Sequence, residues 1–499
     1  MSTLTALARA QAFAAGRAQP LATVRHLHLH ERPLVLIPYA MAGEANAPLA
    51  AMVGTAEDEP ELLVVAQPRN PDDRFAFAAR LADVLVPYVD SFAAVAEPVP
   101  VDRGRDVRYR FTNAPQVWVP NPGGVDFLRL FGRSTRFRGV EGEYAVPASV
   151  PLLGRWLTFF AGAAEVPGSS LLLNGVQALS SHWATGQSSA EDAQLAALMA
   201  WLDPPPGRTV FEAAAAAEDP AVTPPPGPAT DPAFDNHVLA PLLSAAQPDV
   251  AELSEVLRAQ LLPTWSLMWR ALGLLRTLPP GSRVAGRWDA DRDSYSGFLQ
   301  HLAEGGPPQP RRDGAVAAAA RLARLENAAA RYAVQRAFDD PLVMAEHRLA
   351  GAAFAGEVTL AKADRVDDSG KRPVLRPRIM VVTSEPVRVA PGAVLTSPAR
   401  PAQKATVISV SVAVSSGDGS ARTEVLLELS GGMGRKLVAE PGSVPEVGER
   451  LLLTTLSEAY RPGGAFPEPD QTPWTHGGPP APRDPVDEVI EEPSQLPDQ

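Results

Sequence analysis

Apolar and polar positions alternate most regularly between Arg372 and Leu456. Three runs there carry the two-residue period and β-branched content of strands: 378-RIMVV-382, 405-ATVISVSVAV-414 and 424-EVLLELS-430. A fourth, 450-RLLLTTL-456, closes the stretch. Turn formers separate them, at Pro391-Gly392, Gly417-Asp418-Gly419, Gly431-Gly432 and Pro441-Gly442. Short strands broken by such turns predict a small antiparallel β-barrel or sandwich over residues 355–460.

Upstream, strand and helix periods mix. The runs 34-LVLIPYA-40 and 61-ELLVVAQP-68 read as strands, with 49-LAAMVGT-55 as a third between them. Residues 71–92 read as a helix whose first turn holds Pro71, Asp72 and Asp73. Phe75, Leu81, Leu85 and Val89 form its apolar stripe, and Pro87 predicts an end or a kink. The runs 107-VRYRF-111 and 116-QVWVP-120 predict a strand pair, followed by a turn at 121–124 and a helix from Val125 to just before Gly132. Residues 1–150 thus read as a mixed α/β domain. Residues 151–202 read as a helical segment, including 170-SLLLNGVQALSSHW-183. Residues 203–210 and 219–232 are too rich in Pro for a helix or sheet interior; with a short Ala-rich helix at Phe211–Ala217 between them, residues 203–235 predict a linker, or a strap across a surface. Helical text resumes over 236–354, with 341–354 as its last helical piece. Residues 461–499 turn to Pro, Gly and acid and predict a disordered acidic tail. The fold class is α+β and multidomain, without internal repeats.

At 499 residues, with 45% hydrophobic positions, the chain exceeds one ordinary core and predicts two to four domains. The absence of Cys excludes disulfides, thiolate metal sites and Cys nucleophiles. No apolar run reaches the roughly 18 residues of a membrane span, and residues 1–20 read as a short amphipathic helix rather than a signal peptide. The expectation is a soluble, cytoplasmic protein with no membrane partner. Four Lys against 41 Arg, with 52 Pro, point to a GC-rich genome, so Arg abundance alone carries no functional meaning.

Charge placement carries more. The net charge of −12 is concentrated in residues 468–499, where eight acids meet one Arg. Between Asp102 and Arg138 eight Arg face three Asp, and Arg129, Arg133, Arg136 and Arg138 are interleaved with Phe127, Phe131 and Phe137. A second basic stretch runs from Lys362 to Lys404 and contains Arg372, Arg376, Arg378 and Lys404, with Arg435-Lys436 as a basic tip in the same domain. Arg forks suit phosphate and rings stack on bases, so these residues are candidates for a nucleic-acid or partner surface. The competing reading is that they pair with the chain's own Asp and Glu. The tail can dock on a basic patch of a partner, or cover this chain's own patch; 486-VDEVIEE-492 mixes Val and Ile into acid as docking segments do.

Three local patterns invite chemistry. In 25-RHLHLH-30 a strand would align His26, His28 and His30 on one face opposite Leu27 and Leu29, as weak metal candidates or as a solvated polar face. The run 289-DADRDS-294 has Asp at the first, third and fifth places of a calcium loop, but Ser294 and Gln300 stand where Gly and Glu are needed, so it reads as a helix cap. The run 431-GGMGRK-436 fails the phosphate-loop pattern and reads as a glycine turn between strands. His182, His237, His301 and His347 read as core-edge or capping residues, and the stripe of Trp265, Leu267, Met268 and Trp269 as helix core. No catalytic residue or cofactor is assigned. The sequence points to a non-catalytic accessory or scaffold protein that binds a protein partner, with nucleic acid as a further ligand. The alternatives are an enzyme using the His26, His28, His30 row, and a purely protein-binding assembly component.

Overall fold

The computed structural model describes residues 2–458 apart from 45–46, 102–104, 245–248, 415–420 and 435. The turn expected at Gly417-Asp418-Gly419, Arg435 and the acidic tail lie outside the described residues. Among the described residues no helix is long and apolar enough to cross a membrane.

The first strands are β1 (Leu34–Ala40), β2 (Pro48–Gly54), β3 (Glu61–Val64), β4 (Ala96–Val101), β5 (Asp106–Phe111), β6 (Val117–Val119) and β7 (Leu172–Asn174). Five of them form one mixed sheet in the order β3-β2-β1-β6-β7. The β3–β2 and β2–β1 pairs are antiparallel, while β1–β6 and β6–β7 are parallel. The expected pairing of 107–111 with 116–120 is corrected: β5 pairs with β4 in a separate hairpin, and β6 lies between β1 and β7. The reason is burial. Val117, Trp118 and Val119 are fully buried and suit a central parallel strand, whereas β5 is largely exposed.

Helices cover both faces. The helices of the chain include α1 (Thr3–Ala15), α2 (Pro71–Asp90), α3 (Pro122–Thr135), α4 (Ser149–Ala163), α5 (Gly175–Ser180), α6 (Leu195–Leu202), α7 (Val210–Glu218), α8 (Val250–Arg276), α9 (Val284–Ala303), α10 (Ala315–Asp339) and α11 (Pro341–Leu349). On one face Leu34, Leu36, Val117 and Val119 meet α2, α3, α4 and α9. On the other, Val35, Ile37, Tyr39 and Trp118 meet Leu253, Leu257, Leu261, Trp265 and Met268 of α8. All seven residues of β1 are buried, because alternate side chains feed two cores. Burial of Leu34, Val35, Leu36 and Ile37 contributes about 1.5–3 kcal/mol each. Pro87 sits inside α2 without ending it, and α3 starts at Pro122 and runs past Gly132 to Thr135. Residues 170–183 are not one helix: β7 occupies 172–174 before α5. The Pro-rich segment crosses the end of β1, where the Ala40 amide donates to the Pro228 carbonyl and the Thr230 amide to that of Ala40.

The C-terminal strands are β8 (Ala353–Lys362), β9 (Arg378–Thr383), β10 (Val394–Ser397), β11 (Arg400–Val414), β12 (Ala421–Ser430) and β13 (Arg450–Thr454). They form a closed antiparallel barrel in the order β8-β9-β12-β11-β10-β13, sealed by the β8–β13 pair. Of the barrel and the sandwich, the barrel is the one formed. Phe354, Val358, Ile379, Val381, Val407, Val425, Leu427 and Leu453 fill it. Register shifts in β8 and β11 supply curvature for closure. The four expected strands are present, and β8 and β10, which the sequence pattern does not predict, complete the barrel. The helical piece expected to reach 354 stops at Leu349, because Gly351 turns the chain at φ +73° and Ala353 enters β8.

A candidate anion-binding cleft

The carboxyl ends of β6 and β7 run directly into α3 and α5. Asn121 caps α3 by accepting from the Gly124 amide, and Asn174 caps α5 by accepting from the Gln177 amide. Space beyond parallel strand ends is where α/β sheets commonly hold ligands. Here it is bounded by the loop 164–171, by α9 and by the C-terminal half of α10.

Two adjoining cavities result. The outer one, about 700 Å³, lies between loop 164–171, α9, α10 and the exit of the barrel at 455–458. The inner one, about 400 Å³, reaches toward His26, Asn174 and Gln177. Gly168 and Tyr332 belong to both. Gly168 has φ +88°, and a Cβ there would come within 2.8 Å of Arg287 Cδ and 2.9 Å of Tyr332 Cδ2. Glycine is therefore required both for the backbone conformation and for the close approach.

Arg287, Arg324 and Arg331 line the outer cavity with Asp291 and Glu458, and Arg129 and Arg336 line the inner one with Asp126. Arg287 donates to Gln335 Oε1 at 2.8 Å and to the His26 carbonyl at 2.9 Å, and lies over the Tyr332 ring. Burial draws its pKa down. Arg336 lies over the same ring at 5.8 Å. Arg324 and Arg331 stand one face and two turns apart on α10, and neither has a carboxylate partner among the described residues. Beneath them, Asp291 is almost fully buried, accepting from Ser169 Oγ at 2.7 Å and the Ser170 amide at 2.6 Å. Its desolvation pushes the carboxyl up to about 7 despite these two donors. Val166, Leu171, Val334 and Leu456 supply apolar wall.

The histidine row departs from expectation. Residues 25–30 form no ladder strand beyond a bridge at Arg25; side chains answer their amides instead. The His26 amide donates to His182 Nε2, that of His28 to Ser170 Oγ and that of His30 to Gln116 Oε1. Gln116 also donates to the His28 and Ser170 carbonyls, tying the segment to the sheet. Leu27 and Leu29 do point together into a core, but the opposite face is packed, not solvated. The His26 ring lies beside His182, His28 stacks on Trp288 at 4.0 Å, and His30 packs edge-on against Phe92. Desolvation holds His26 down to about 3 and His28 and His182 down to about 4, so all three rings are neutral at pH 7. Among the described residues no group of three or more His, Asp and Glu could hold a metal ion.

The run 289–294 is neither loop nor cap but the middle of α9. Asp289 and Asp293, four apart on one face, meet Arg110 and Arg108 of the β4–β5 hairpin and Arg292, while Asp291 points the other way into the core. The glycine turn is present, with Gly431, Gly432 and Gly434 at positive φ after β12.

The arginine candidates of the sequence are largely engaged within the chain. Arg129 pairs with Asp126 and Glu165. Arg136 is buried and donates to the Gln309 and Pro310 carbonyls. Arg138 donates to the Ser134 carbonyl and lies over Phe75. Arg378 joins Arg365 on Glu428, and Arg376 donates to the Leu375 carbonyl. Arg133, Arg372, Lys404 and Lys436 are exposed. Phe127 and Phe131 belong to the core, and Phe137 is covered by Arg136 and Arg311. The cleft arginines do not stand out in the sequence because they lie in helices that read as plain amphipathic text. The seven-residue spacing of Arg324 and Arg331 was the available signal.

No family model, curated protein or solved structure matches this chain.

Proposed function

We propose that this chain is a non-catalytic accessory protein that binds an acidic, partly apolar polypeptide segment of a partner in the outer cleft. The observation that carries the reading is the coexistence of Arg324 and Arg331, without carboxylate partners among the described residues, and an apolar wall at Val166, Val334 and Leu456. Guanidinium forks pair with carboxylates bidentately, while the wall takes aliphatic side chains. Nucleic acid fits less well. A single-strand site needs open aromatic faces for base stacking. Tyr332, the ring lining both cavities, already carries Arg287 and Arg336, and Phe137 carries two further guanidiniums.

The test is a peptide library sorted by charge, presented to the full chain and to its Arg324→Glu/Arg331→Glu variant, beside a labelled single-stranded oligonucleotide. Enrichment of acidic peptides with Val, Ile or Leu, lost in the variant and weakened by salt, supports the reading. Oligonucleotide binding without peptide enrichment overturns it.

The enzyme alternative draws on the inner cavity, where both ring nitrogens of His26 are without hydrogen-bond partners among the described residues. Against it, a ring held near pKa 3 is a weak base at neutral pH. Its neighbour Asp340, at 3.6 Å, already accepts from the Thr23 and Val24 amides.

A further inference from the structure

We infer that the chain's own segment Asp484–Glu492 is an intramolecular occupant of the outer cleft, which a partner must displace. The inference rests on the reading of the cleft given above and adds its regulation.

The first observation is where the barrel releases the chain. After β13, residues Thr455, Leu456 and Glu458 themselves line the outer cavity. Leu456 is held by Thr396 Oγ1, which donates to its carbonyl, and Glu458 pairs with Arg283. Everything that follows is thus rooted at the rim of the cleft. The 25 residues 459–483 separate that rim from Asp484. Their extended reach is on the order of 80 Å, so length does not limit access.

The second observation is complementarity. Segment 484-DPVDEVIEE-492 carries five acids and no base, with Val486, Val489 and Ile490 between them. Its acids recur four apart, Asp487 with Glu491 and Glu488 with Glu492. The cleft offers the converse set: Arg324 and Arg331 along one helix face, with Val334 one turn from Arg331 on the same helix and Val166 and Leu456 lining the same cavity. Tethering raises the local concentration of such a segment to the millimolar range, so even a weak contact is populated. Where the effective concentration is about ten times the free segment's dissociation constant, the tether weakens any competing peptide about tenfold.

The experiment keeps the chain at full length. A fluorescent peptide covering residues 484–492 is titrated into the wild-type chain and into a neutral-tail variant carrying Asp484→Asn, Asp487→Asn, Glu488→Gln, Glu491→Gln and Glu492→Gln. It is also titrated into that variant with Arg324→Glu and Arg331→Glu added. The expected result is about tenfold tighter binding to the neutral-tail chain than to wild type, abolished by the arginine reversals. Equal affinity for wild type and neutral-tail chain, with loss on arginine reversal, overturns self-occupancy but leaves the cleft's preference for acidic segments standing. No binding to the neutral-tail chain, or binding that survives arginine reversal, overturns both. Circular dichroism of each variant establishes that a loss is not unfolding, since Arg324 and Arg331 are exposed.

Discussion

Changing Asp291 to Asn isolates the energetic cost of one buried charge. Asp291 is 5% exposed and its carboxyl is pushed up to about 7 by desolvation, against an ordinary Asp value near 4. The folded protein therefore holds a proton on this group between pH 4 and 7 that the unfolded chain has released. The resulting stabilisation is complete below pH 4 and is lost as pH rises to about 7. A difference of about three pKa units corresponds to about 4 kcal/mol. Asparagine keeps the acceptor for the Ser170 amide and offers a donor to Ser169 Oγ, so both partners found at 2.6 and 2.7 Å are retained without a charge. The variant should match wild type at pH 4 and exceed it by up to about 4 kcal/mol at pH 8. At about 2–4 °C per kcal/mol this is a rise in melting temperature of roughly 10 °C. Thermal unfolding followed by tryptophan fluorescence reports it, because Trp288 lies on the same helix. Parallel melting curves for the two chains at every pH would refute a desolvated Asp291. The buried histidines cancel in this comparison, being common to both.

Those histidines give the opposite slope. With His26, His28 and His182 held at about 3 to 4, the Asp291→Asn chain should lose stability steadily as pH falls from about 6.5 toward 4, and His28→Phe should flatten that fall in the same melts. Arg136→Ala should cost about 3 kcal/mol by urea denaturation, since two charge-assisted bonds to the Gln309 and Pro310 carbonyls disappear, and should leave peptide affinity unchanged. Gly168→Ala should weaken peptide binding about tenfold, because about 1–2 kcal/mol of positive-φ strain is added and Arg287 is displaced. Phe354→Ala should cost about 3–5 kcal/mol in the unfolding of the barrel, measured with near-ultraviolet circular dichroism.

The sequence was most legible where one rule decided the outcome. The barrel runs 378–383, 403–407 and 424–430 alternate cleanly because one face is core and the other turns outward. β8 was missed because Ala353, Ala355 and Gly356 lack β-branched content and follow helical text. The pairing of 107–111 with 116–120 that the sequence suggests does not form, because the partner choice depends on non-local burial: Val117 joins β1 and β7, from residues 34 and 172. The histidine row shows a further limit. Its alternation was visible, but the answering groups, Gln116, Ser170 and His182, come from three distant segments. The cleft was illegible for the same reason, since Gly168, Asp291 and Arg331 meet only after the sheet and its helices are assembled.

The seal of the barrel also has a mechanical meaning. β8 enters at Ala353 and β13 leaves at Thr454, and these two residues face each other as one rung of the β8–β13 ladder. A pull on the chain beyond residue 458, resisted through α11, would first part the Glu458–Arg283 and Leu456–Thr396 contacts and then load that rung instead of shearing all five together. Hydrogen bonds loaded one at a time part at far lower force than a ladder loaded in parallel. Traction by a machine that grips the C-terminal segment would therefore peel β13 away first among the strands, after the rim residues Thr455 and Leu456.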